Sequence, residues 1–197
     1  MLSRINGFII ACSLSWWKFL LLFVATIATM GYLQAVTAKF PAITAGDIPF
    51  DMQNNLTVEQ IFTQLEGYSE AAFSLYATFQ AVDYFFPIFA SLFLASICAF
   101  SLRTASPYFY AIALHKNLFL LLLIPAVFDW LENINLLWVI SDWPEQSQAA
   151  ATLAVMAKQG KLATLYVDWA VSSLLLTWAL VAWIIGRTKA QSDTGAA

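Results

Sequence analysis

The stretch NLFLLLLIPAVFDWLENINLLWVI, residues 117–140, decides the fold of this chain. About 20 helical residues, at ~1.5 Å of rise each, cross the ~30 Å hydrocarbon layer of a bilayer, and this run is long enough to do so. Lipid offers a spanning backbone no hydrogen-bond partner but itself, so the run must be helical. Yet it carries Asp129, Glu132 and Asn133 within about one turn, where hydrocarbon is the ordinary surrounding.

Three further runs have spanning length, 19–38, 76–102 and 162–186. The whole composition agrees with them. Apolar residues make up 61% and charged residues 11%, and the mean hydropathy is +0.73; a soluble domain averages about half apolar and a quarter charged. The expected fold is all-α, an up-down integral membrane four-helix bundle, with residues 1–197 forming a single transmembrane domain. A formal charge of −3 and the lack of any basic run argue against a nucleic-acid partner. Cys12 and Cys98 have no CxxC spacing and read as small buried hydrophobes.

Flanking charges orient the bundle. Arg4, Lys18, Arg103, Lys116, Arg187 and Lys189 fall on one side of the four runs, and Lys39, Lys158 and Lys161 on the other. The positive-inside tendency therefore places both termini in the cytoplasm. The beginning of the chain also reads as a secretory signal ending at Ala38, but its apolar run exceeds the ~7–15 residues of a signal core, and an uncleaved anchor is the preferred reading. The two outer loops carry helical patterns. Thr57 and Gln60 form a capping-box pair ahead of Val58, Ile61, Phe62 and Leu65, with Gly67 as a stop. Residues 142–160 offer Asp142 as a cap, Pro144 in the first turn, Leu153 and Met156 on one side, and Gly160 before the fourth span. Two short amphipathic helices are expected there, covering the outer mouth of the bundle. The connection through residues 101–107 is short, so the second and third spans should be antiparallel neighbours.

Depth counting relates the acids to one another. Asp83 in the second span lies ~8 Å below the outer boundary, Asp168 in the fourth is similar, and Glu132 and Asp129 lie about 10 and 15 Å down. Tyr76, Gln80 and Asp83 share one helical face with Pro87, as do Asp129, Glu132 and Asn133 with Pro125, and Asp168 with Lys161, Thr164 and Ser172. A charged side chain facing lipid costs at least ~2.5 kcal/mol, so these faces should turn toward each other or toward water. The candidate binding residues are Tyr76, Gln80, Asp83, Asp129, Glu132, Asn133, Asp168 and Ser172.

Such a group of carboxyls needs compensation, by protons, a bound cation, a cationic or hydroxyl-rich ligand, or water. Lys161 is expected to snorkel to the interface instead of supplying it. No cofactor is identified. Calcium or magnesium would suit Asp83, Asp129, Glu132 and Asp168 as oxygen ligands if a hard cation is bound, whereas zinc and di-iron are disfavoured because the single histidine, His115, lies toward the opposite face. The leading reading is an outward-facing acidic cavity that binds or conducts a proton, cation or polar lipid group. Behind it stand a membrane enzyme acting on a lipid or isoprenoid with Asp129 or Glu132 as general acid or base, and a structural subunit of a membrane complex. Membrane lipid is the expected partner, with a second copy or a complex subunit as further candidates.

The succession IPFDMQ at 48–53, YATFQAVDYFFPIF at 76–89 and LLLIPAVFDWLENINLL at 121–137 resembles a pattern in uncharacterised bacterial four-span membrane proteins. The resemblance covers residues 48–140. Its most specific parts are Asp83 with Pro87, and Asp129 with Glu132 and Asn133. It implies a bacterial inner membrane and no particular chemistry.

Overall fold

The computed structural model describes residues 2–44 and 46–195, with side chains to residue 187. Every element among the described residues is helical: α1 (Leu2–Leu14), α2 (Trp16–Thr37), α3 (Val58–Glu66), α4 (Glu70–Asp83), α5 (Phe86–Ala105), α6 (Pro107–His115), α7 (Ile124–Asp142) and α8 (Gln148–Gly195). Short 3-10 turns occupy Phe40–Ala42, Phe50–Met52 and Leu118–Leu123. Four stretches are long and apolar enough to cross a membrane, Trp16–Ala42, Glu70–Ala105, Leu118–Asp142 and Gln148–Arg187. In the first and last of these, only 17% and 11% of the most apolar window is buried within the protein, so most of that hydrocarbon faces outward.

Prolines and a glycine shape these stretches in ways that periodicity alone does not reveal. Pro87 has no N–H to return to the Asp83 carbonyl, and the second stretch breaks there, α4 ending at Asp83 and α5 starting at Phe86. Trp130 Nε1 donates to the Tyr84 carbonyl at the break, at 3.0 Å. The third stretch starts as a 3-10 turn before Pro125 admits an α-helix. Past the short connection at 101–107 the chain forms α6, capped by Ser106, before the third stretch. Asn117 follows at φ 53°, a left-handed position that asparagine tolerates.

Residues 142–160 do not form a separate helix. Pro144 falls in the turn after α7, and α8 runs from Gln148 through Gly160 without interruption. Its covered side is a stripe of small residues, Ala150, Ala151, Ala154 and Ala157, while Leu153 and Met156 are exposed. Gly160 is no stop; a Cβ there would lie 2.7 Å from the Phe128 ring, so its bare backbone is what lets α7 and α8 approach.

The chain divides into two compact units. One comprises residues 1–22, 91–123 and 166–197, the other residues 23–90 and 124–165. The first has a core of Ile9, Ala95, Cys98, Ala99, Leu102, Ala113, Phe119 and Leu122. The second, which holds most of the polar faces, is built around aromatic rings: Phe50 stacks on Tyr68 with centroids 5.5 Å apart, and Phe40 meets Tyr76 edge-on at 6.1 Å. Helix α3 closes this core with Ile61, Phe62 and Leu65, and Thr57 and Gln60 cap it reciprocally at 2.9 and 3.3 Å.

Candidate functional site

Four segments of the second unit bring polar groups together. On α7, residues 129, 132 and 133 stand at i, i+3 and i+4 and therefore share a face. On α4, Tyr76, Gln80 and Asp83 repeat at four and three residues and do the same. The chain of contacts begins at Tyr76, whose hydroxyl accepts from Gln80 Nε2 at 3.3 Å. Gln80 Nε2 also donates to Asn133 Oδ1 at 3.1 Å, and Asn133 Nδ2 donates to Asp83 Oδ2 at 2.7 Å and Asp129 Oδ2 at 3.2 Å. Gln80, Asp83 and Asn133 are all at most 2% exposed.

The third contributor is α8. Lys158 and Lys161 continue the alanine stripe, so the face that packs inward carries two ammonium groups. Lys161 does not snorkel. Its Nζ lies 2.8 Å from Asp51 Oδ1, 2.9 Å from Asp129 Oδ1 and 2.5 Å from Glu132 Oε2, matching its three N–H groups with three carboxylates. Lys158 Nζ is equally engaged, with Glu132 Oε1 at 2.6 Å and the carbonyls of Phe50 and Asp51 at 3.0 and 2.9 Å.

The fourth contributor is the turn that presents Asp51. Phe50 anchors it, fully buried in the aromatic core. Gln53 fixes its far side by donating to the Ile48 carbonyl at 2.7 Å and by pairing reciprocally with Gln64 of α3 at 2.9 and 3.0 Å. Burial would push the Asp51 carboxyl up, but Lys161 and Lys158 outweigh it and hold the group below the usual carboxylate value.

One oxygen from each of Asp51, Asp129 and Glu132 lies within 4.8 Å of the other two, a spacing that could hold a metal ion. Lys161 Nζ bonds to all three residues, so an ammonium group stands among those carboxylates. Asp83 joins this assembly through Asn133. Asp168 and Ser172 belong to the other unit, where Ser172 Oγ donates to the Asp168 carbonyl at 2.6 Å and lies 3.2 Å from Cys98 Sγ.

Asp51, Lys158 and Lys161 complete this cluster, although from the sequence they read as loop and flanking charges. The signal for the lysines was present: positions 150, 154, 157, 158 and 161 form one helical stripe, and small residues on such a stripe mark a close helix contact. Asp51 left no comparable signal, because its place depends on the tertiary anchoring of Phe50.

No known protein family, curated protein or solved structure matches the chain.

Proposed function

We propose that this is a multi-pass inner-membrane protein, both termini cytoplasmic, whose buried acid–lysine cluster binds and releases a proton from the outer side. The observation that carries the reading is the charge count. Four carboxyls, those of Asp51, Asp83, Asp129 and Glu132, are joined to only two ammonium groups, and both ammoniums already have every donor engaged. Charges this dry are costly, and apolar side chains of similar volume would generally stabilise the helices as well or better. Ionisable groups kept at such depth mark proton or ion pathways by default. Protons on the surplus carboxyls complete the balance without displacing any observed bond. The basic residues flanking the spans support the orientation, and the resemblance of residues 48–140 supports the bacterial inner membrane.

The spacing of Asp51, Asp129 and Glu132 favours a second reading, a hard cation such as calcium or magnesium held by that triad after Lys161 withdraws. Infrared difference spectra of the purified protein across a pH titration separate the two. Proton binding predicts a protonated-carboxyl band that titrates and that changes in both Asp83→Asn and Glu132→Gln. A spectrum without any titrating carboxyl band, together with calorimetric heat on adding calcium or magnesium, would transfer the conclusion to the cation.

A further inference from the structure

In the first unit, a cleft of about 320 Å³ opens where α1 gives way to α2, bordered by Ser13, Ser15, Trp16, Phe19, Phe100 and Arg103. Apart from its serines and Arg103, that border is apolar. Arg103 enters from the last turn of α5 and is fixed in place: Nη2 donates to the Ser13 carbonyl at 2.9 Å, Nη1 to Ser13 Oγ at 3.2 Å, and the guanidinium carbon lies 5.7 and 5.8 Å from the ring centroids of Phe100 and Tyr110. Among the described residues no carboxylate pairs with it. A guanidinium has five N–H donors, so a positioned cation with donors to spare faces an apolar recess.

Its place along the chain indicates what could fill the recess. Arg103 stands near the end of the stretch Glu70–Ala105, and Trp16 opens the stretch Trp16–Ala42, so both lie at span ends, the level of lipid headgroups. Trp16 and Trp17 are 77% and 52% exposed there, as interfacial tryptophans are. The first N–H groups of α2, which have no helical partner, add positive potential beside the same cleft.

We propose that this cleft binds the phosphate headgroup of an anionic lipid. Arg103 holds the phosphate, whose geometry suits its planar fork, and Phe19 and Phe100 border the glycerol and upper acyl carbons. The proposal rests on residence in a membrane and is independent of the acid–lysine cluster.

The test uses the full chain reconstituted in phosphatidylcholine vesicles containing spin-labelled phosphatidylglycerol or spin-labelled phosphatidylcholine. The wild type should immobilise the anionic label preferentially. Arg103→Gln should weaken that preference about five-fold, the effect of one basic residue at a membrane surface. Phe100→Trp, which keeps the charge and fills the recess, should weaken it as well, and it serves where Arg103→Gln does not fold. Equal preference in wild type and either folded variant overturns the proposal, as does full displacement of the label by inorganic phosphate, which would identify a free anion as the occupant. A chain that fails to co-float with vesicles overturns membrane residence and the lipid site together, whereas insertion without headgroup preference overturns the lipid site alone.

Discussion

Lys158 Nζ and Glu132 Oε1 lie 2.6 Å apart, with their side chains 3% and 0% exposed. The pair bridges α8 and α7, and the two remaining Lys158 bonds draw in the carbonyls of Phe50 and Asp51. One side chain therefore fastens two helices and a turn that are far apart in sequence. Removing it takes one of Glu132's two ammonium partners, leaving Lys161, and takes the same donor from both carbonyls at once.

Breaking a buried pair from one side costs about 3–5 kcal/mol. Lys158→Met should accordingly lower the thermal midpoint in detergent strongly, followed through tryptophan fluorescence. Glu132→Gln should also destabilise. The double variant should be less destabilised than the two single effects added together, by roughly 0.5–3 kcal/mol of coupling. Simple additivity would mean the two groups do not share an interaction.

Lys161 answers a different question, because its ammonium stands where Asp51, Asp129 and Glu132 could hold a metal. Lys161→Met removes the charge while keeping most of the volume. The variant should be less stable near neutral pH and should gain thermal stability from millimolar calcium or magnesium, which the wild type should not. An equal cation response in both proteins would show that the lysine does not occupy the ion's place.

Asp51 sets a pH dependence whose sign follows from its two lysines. Burial alone would raise its proton affinity, but Lys161 and Lys158 hold the folded carboxyl below its ordinary value. Stability from this group is therefore fully present above the unfolded value, about 3.9, and is lost as the pH falls through the lower folded value. Asp51→Asn should flatten that acid limb of a plot of thermal midpoint against pH, relative to the wild type. An unchanged limb would assign it to other carboxyls.

The legible and illegible parts of this site differ in the range of the forces that build them. Asp129, Glu132 and Asn133 share a face because helical geometry acts over three and four residues, and the same rule groups Tyr76, Gln80 and Asp83. Pro87 similarly announces the break after Asp83. The partners of the acids are set by tertiary packing. Lys161 looks like a flanking charge until α8 is seen to continue through Gly160 and bring its alanine stripe inward. Asp51 looks like one more loop acid until Phe50 is seen buried against Tyr68 and Tyr76. In both cases the deciding contact lies several helical turns away along the chain, beyond any local pattern.

Gly160 controls how closely the lysines approach the acids. In an exposed helix, glycine to alanine would gain up to about 1 kcal/mol of helix propensity. Here the new methyl would stand 2.7–3.0 Å from three carbons of the Phe128 ring, one residue before Asp129 and opposite the turn that carries Lys161. Overpacking of this kind costs about 1–3 kcal/mol, which exceeds the propensity gain. Gly160→Ala should therefore lower the thermal midpoint, and Phe128→Leu in the same chain should restore part of the loss by making room. Helix propensity alone predicts the opposite sign for the single variant. A stabilised Gly160→Ala would show that the Phe128 ring turns aside freely and that the distance between α7 and α8 is set elsewhere.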